Sequence, residues 1–211
     1  MMERKQLNLR INDQFLIGEI DNKLHSEKLI HKHHVTDAIN TIKYLEILFT
    51  SSNLKRYKNK EHYIKHIVAK SLLPKAEEII RIQKDEFSSH YEHLKQTVSE
   101  IPNYKDIYNH INNENKKIKI PVLISPIVMM MISLITLTDN IIKQQRILYL
   151  CGEISKKDFY SNRRVVLKKF SNVRLKLHHN RKEYSEKLST LIEKRECNSI
   201  PLQFRIRSIT V

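Results

Sequence analysis

The sequence predicts a mainly α-helical protein: a helical bundle with a long antiparallel helical hairpin and a small β-ribbon from the terminal strands. Three observations carry this. The 211 residues hold only two Gly and five Pro, whereas sandwiches and barrels need a Gly- or Pro-marked turn about every 8–12 residues and nucleotide-binding α/β folds need Gly-rich loops. Apolar residues recur at helical spacing through most of the chain. Near each terminus the period shifts to two.

The length suits one domain, 1–211, with sub-parts at 1–52 (strand and two helices), 60–195 (helical core) and 199–211 (terminal strand). It is long enough to bury a core without disulfides or metals. Cys151 and Cys197 are too few for a disulfide framework and read as reduced thiols in a cytoplasmic protein. Residues 1–10 carry no apolar run after their charges, so no signal peptide is predicted.

From Lys5 to Ile11 the chain alternates, with Leu7, Leu9 and Ile11 on one face and Gln6, Asn8 and Arg10 on the other. This predicts a strand with one buried side. Asn12 and Asp13 are placed to cap a helix carrying Phe15, Leu16, Ile20 and Leu24. Residues 26–34 are polar and His-rich. A second helix is predicted over about 36–50, with Thr36 as N-cap and Ala38, Ile39, Ile42, Leu45 and Phe49 on its apolar side. A third holds Ile64, Ile67, Val68 and Leu72 and is expected to stop near Pro74. A fourth runs from Lys75 to about Glu100. The Asn- and Lys-rich segment 109–119 reads as an exposed loop.

From Ile120 to Thr138 nineteen residues pass without a charge, including Met129, Met130 and Met131 in a row. This stretch either spans a membrane or forms the central helix of a soluble core. Ser125 as N-cap and Pro126 at the first helical position start the helix there. Thirteen uncharged residues then remain before Asp139, against the roughly 20 that a bilayer needs. The core reading is therefore preferred, with the methionines as a candidate subunit contact. Gly152 fits the position after the helix. Ser155 and Asp158 form a Ser-x-x-Asp cap for a last helix reaching about Lys194. On it Phe159, Val166, Phe170, Val173, Leu177, Tyr184, Leu188 and Leu191 fall in a sector roughly 60° wide. At Pro201 the alternation returns, with Gln203, Arg205 and Arg207 opposite Leu202, Phe204 and Ile206, a strand that needs a partner.

Lys plus Arg exceed Asp plus Glu by fifteen, a balance that speaks to partners and not to fold. Nucleic acid is the commonest partner of such a surface; an acidic protein or anionic lipid is the alternative. The segment 156–182 holds ten Lys or Arg, among them Arg163, Arg164, Lys168, Lys169 and Arg174, and one acid, Asp158. Such a helix can track phosphates; a solvated face is the plain alternative, although ordinary exposed faces mix both signs. An antiparallel two-stranded ribbon fits the major groove, where Arg reads guanine and Gln or Asn reads adenine. Gln6, Asn8 and Arg10 are the candidate readers, with Gln203, Arg205 and Arg207 as rivals; a strand that merely covers a helical core is the alternative.

His62 and His66 stand four apart, His90 and His93 three apart, and His31, His33 and His34 cluster, but no further ligand completes a metal site. No Gly-rich phosphate loop, nucleophile elbow or paired-carboxylate motif is present. No enzyme activity, cofactor, metal or small-molecule substrate is therefore expected. Cys151, at a helix C-terminus where the dipole disfavours thiolate, is not read as reactive.

Over about 120–180 the chain resembles the AcaB-type family of proteins of plasmids and integrating conjugative elements. The residues that carry this are Ser125, Pro126, Leu134, Asp139, Leu148, Gly152, Ile154, Arg163 and Arg164, with a looser likeness at Thr36, Asp37, Ala38 and Leu45. The resemblance implies a ribbon-helix-helix-like transcriptional regulator of transfer genes that binds DNA as a dimer. The competing expectation is a structural or adaptor protein of a conjugation or effector machinery, whose basic helix meets an acidic protein or a membrane surface.

Overall fold

In the computed structural model, residues 4–20, 38–102, 104–113 and 116–196 are described. The elements in chain order are β1 (Arg4–Ile11), α1 (Gln14–Ile20), α2 (Ala38–Ser52), α3 (Lys60–Ser99), α4 (Tyr104–Asn113), β2 (Lys116–Leu123), α5 (Pro126–Leu150) and α6 (Lys156–Glu196). The mainly helical architecture with a small ribbon is as expected. Thr36, the His31–His34 cluster, Cys197 and the C-terminal triplet Gln203, Arg205 and Arg207 lie outside the described residues.

Helix α5 is the centre. It packs against α3, α6, α2, α4 and β1, and one apolar cluster runs from Leu9 and Ile11 through Leu45, Leu72, Phe87, Met131 and Ile135 to Phe170 and Leu177. By length and composition α5 would also cross a membrane. In this fold it is wrapped on its polar side as well: Asp139, Lys143, Gln144 and Gln145 are buried. Lys143 meets the Asn112 carboxamide and the Tyr108 ring of α4, and Asp139 meets the β1–α1 turn. Of the three methionines, Met131 is buried and Met129 exposed.

The predicted caps hold with one exception. The Asp13 carboxylate accepts from Phe15 N at 2.9 Å and Leu16 N at 3.2 Å, satisfying the first amides of α1. At the end of α5, Gly152 sits at φ 81° while Glu153 N reaches Leu148 O and Gly152 N reaches Tyr149 O. This Schellman closure needs a left-handed residue, which Gly supplies without a Cβ clash. Ser155 Oγ accepts from Asp158 N at 3.1 Å and donates to the Asp158 carboxylate at 2.6 Å, so α6 turns back along α5. The exception is Ser125, whose hydroxyl makes no cap bond; Pro126 alone starts α5.

Two expectations are corrected. Pro74 does not end a helix, because α3 continues through it for 40 residues. Proline removes one helical hydrogen bond and disfavours the residue before it, but the buried stripe Val68, Ala69, Leu72, Ala76, Ile80 and Phe87 runs on across it, and that continuous packing against α5 and α6 outweighs one lost bond. Pro74→Ala restores the bond to the Lys70 carbonyl at an exposed position. It should raise the unfolding free energy by about 1–3 kcal/mol in urea titration; an unchanged or lower midpoint would argue that the ring is needed.

The second correction concerns 109–119. Residues 104–113 form α4, with Ile111 buried beside Val98, Ile147 and Leu148. Residues 116–123 form a strand whose Ile118, Ile120 and Val122 are buried while Lys117, Lys119 and Pro121 are exposed. The exposed Lys and Asn disguise an alternation that becomes legible only against a partner strand.

Candidate nucleic-acid interface

That partner is β1. The strands pair antiparallel, with Gln6 opposite Pro121, Asn8 opposite Lys119 and Arg10 opposite Lys117. The N-terminal strand is where the alternation places it, but the partner it is seen with is β2, an internal segment of the same chain. Opposed residues in an antiparallel pair share a face. The inner face, Leu7, Leu9 and Ile11 with Ile118 and Ile120, covers the helices. The outer face presents Gln6, Asn8, Arg10, Lys117 and Lys119, all exposed and none acidic. Lys117 and Lys119 double the positive charge that β1 alone offers, and reading 109–119 as a loop had hidden them.

Two buried acids lock this ribbon to the bundle. Glu46 of α2 accepts from Leu123 N at 2.7 Å and from Arg4 Nη2 at 2.7 Å. At the opposite end of β1, Asp139 accepts from Asn12 N at 3.0 Å, Asp13 N at 2.8 Å and Asn12 Nδ2 at 3.1 Å. Burial, the larger effect, raises the Asp139 pKa, and the amides of Asp13 and Asn12 oppose it. Asp13 in turn holds Arg163 of α6, with Nε at 2.7 Å.

The basic residues of α6 therefore divide. Arg163 is committed to Asp13. Arg174 is 2% exposed, donates to Ser171 Oγ at 2.9 Å and lies over the Phe170 ring. Both are corrected from phosphate contacts to parts of the fold. Each sits beside the apolar stripe, at Val166 and at Phe170 and Val173, where the guanidinium finds partners and its stem packs. Lys169 pairs with Glu86 of α3. Arg164, Lys168 and Lys176 are exposed, and Lys157, Arg164, Lys168 and Lys182 lie on the stripe opposite the core. Exposed Tyr160, Val165 and Leu175 stand among them.

The histidine pairs stay apart from this surface. His66 Nδ1 lies 3.2 Å from Ser51 O, and burial, then Lys169, lowers the His90 pKa. Among the described residues no group of three or more His, Cys, Asp or Glu is arranged to hold a metal ion. Burial, then Glu153, raises the Cys151 thiol pKa, the direction opposite to an activated thiolate.

No family model matches the chain, and no curated protein or solved structure matches it.

Proposed function

We propose that the chain is a cytoplasmic DNA-binding protein that places the outer face of its β1–β2 ribbon in a groove and holds phosphates with the outer stripe of α6. The observation that carries this is the ribbon face itself: Gln6, Asn8, Arg10, Lys117 and Lys119 project together from a pair of strands anchored at both ends. A ribbon of this width fits the major groove, and Arg, Asn and Gln are the side chains that pair bidentately with base edges. Rigid anchoring lowers the entropy lost when those side chains engage. The resemblance adds the finer role, a dimeric transcriptional regulator of conjugative transfer genes. The ribbon-helix-helix arrangement takes one strand from each subunit; here both strands belong to one chain, so each subunit of a dimer would bring a complete ribbon.

A mobility-shift titration against promoter DNA at rising salt tests this. Affinity should fall steeply as salt rises, because each neutralised phosphate releases counterions. No shift even at low salt would remove the proposal.

The second reading rests on Tyr160, Val165 and Leu175, which intersperse the α6 stripe with exposed apolar surface. Such mixing suits an adaptor that binds an acidic protein or a membrane surface. Purification without nuclease separates the readings: co-eluting nucleic acid supports the first, a clean protein the second.

A further inference from the structure

A cavity of about 890 Å³ opens where the C-terminal part of α3 and the start of α4 lie over α5, within the size range of small-molecule sites. Tyr91, Tyr104 and Tyr108 line it, with His93, Lys95 and Lys105. The Lys143 ammonium lies 3.7 Å from the Tyr108 ring centroid on the protein side, which fixes that ring. The contribution of α5 is Gln144, a side chain only 4% exposed. Its Oε1 has no hydrogen-bond partner in the protein, although its carboxamide bonds the Tyr91 hydroxyl. A buried carbonyl without a donor is costly, and this one borders a space that a ligand can enter.

The chemistry of the walls describes what would fit. Aromatic faces stack on flat rings and tolerate any base. Gln144 Oε1 calls for an N–H donor on the edge of that ring. Lys95 and Lys105 call for an anionic group further out. Lys95 is partly engaged by Glu92 at 3.7 Å, which leaves room for a stronger acceptor such as phosphate.

We propose that this cavity binds a nucleotide, its base among the tyrosines with an N–H donating to Gln144 Oε1 and its phosphate at Lys95 and Lys105. The site lies on α3, α4 and α5, away from the ribbon's outer face, so the proposal does not depend on the DNA-binding reading. A free mononucleotide and a base on a single strand share this chemistry.

Isothermal titration calorimetry of the full chain with AMP, GMP, CMP and UMP at millimolar concentration tests it. At least one should bind. Gln144→Met keeps the volume, removes the acceptor and should weaken that binding about tenfold or more. Lys105→Glu, at an exposed rim position, should weaken it as well and guards against a misfolded Gln144 variant. If a tetranucleotide binds more tightly than its mononucleotide and depends equally on Gln144, the occupant is a strand base; if not, it is a free nucleotide. No heat with any of the four, or binding unchanged in both variants, overturns the proposal.

Discussion

Replacing Asp139 with Ala should lower the unfolding free energy by about 3–5 kcal/mol, measured by urea titration at neutral pH. The carboxylate is 2% exposed and takes the amides of Asn12 and Asp13 and the Asn12 side chain. Truncation leaves two backbone donors without an acceptor at a turn packed against α5. Each buried unpaired donor costs about 1–3 kcal/mol, a large share of the roughly 5–15 kcal/mol that holds a domain together. Asp139→Asn keeps one carbonyl acceptor and should lose about half as much. The pH dependence separates the two explanations for any loss. Burial raises the folded-state pKa of Asp139 above its unfolded value. The protonated form is thus favoured in the folded state, and this group's contribution is fully present below the ordinary carboxylate range and lost as pH rises through the raised value. Wild type should therefore gain on Asp139→Asn as pH falls through that window, and the gap should then level off. A loss below about 1 kcal/mol on Asp139→Ala would show that the turn is held by apolar packing alone.

Two sets of substitutions at the candidate interface should fail in different ways. In Gln6→Ala/Asn8→Ala/Arg10→Ala, preference between promoter and unrelated DNA should collapse, since each lost bidentate base contact removes about 1–3 kcal/mol of discrimination. All three side chains are exposed, so the fold should persist. In Arg164→Ala/Lys168→Ala/Lys176→Ala, affinity should fall for every sequence alike. The slope of log affinity against log salt should shrink by about 0.9 for each phosphate contact removed. Arg163 and Arg174 are left out because the fold uses them. If the ribbon variant kept its sequence preference, base readout by β1 would be wrong. If the helix variant kept the wild-type salt slope, α6 would not touch phosphate.

How far the sequence could be read differed from element to element. Local devices were legible: the alternation of Leu7, Leu9 and Ile11, the Asp13 cap, Gly152 after α5, the Ser155–Asp158 cap and the stripe from Phe159 to Tyr184. Each depends on a residue and its neighbours within a turn or two, so composition and period suffice. Segment 116–123 defeated the same approach. Its Lys117 and Lys119 look like loop residues until the strand is laid against β1, when they become the exposed half of a ribbon. Pro74 failed for a related reason: a local rule predicts a stop, and a long-range apolar contact overrides it.

The candidate interface followed that division. The outward residues of β1 could be named from alternation alone, because a strand that buries one face must present the other. Which arginines of α6 remain at the surface could not. Arg163 and Arg164 are adjacent in sequence and alike in charge, yet one closes an ion pair with Asp13, 150 residues away, and the other faces solvent. The sequence by itself determined a helical protein, its caps and a positively charged surface, since these follow from spacing and composition. Only the tertiary structure decided the strand partner of β1, the continuity of α3 across Pro74, the burial of the polar side of α5 and the division of labour among the basic side chains. Those depend on which distant group fills each acceptor or apolar face, and no periodicity along one segment encodes that.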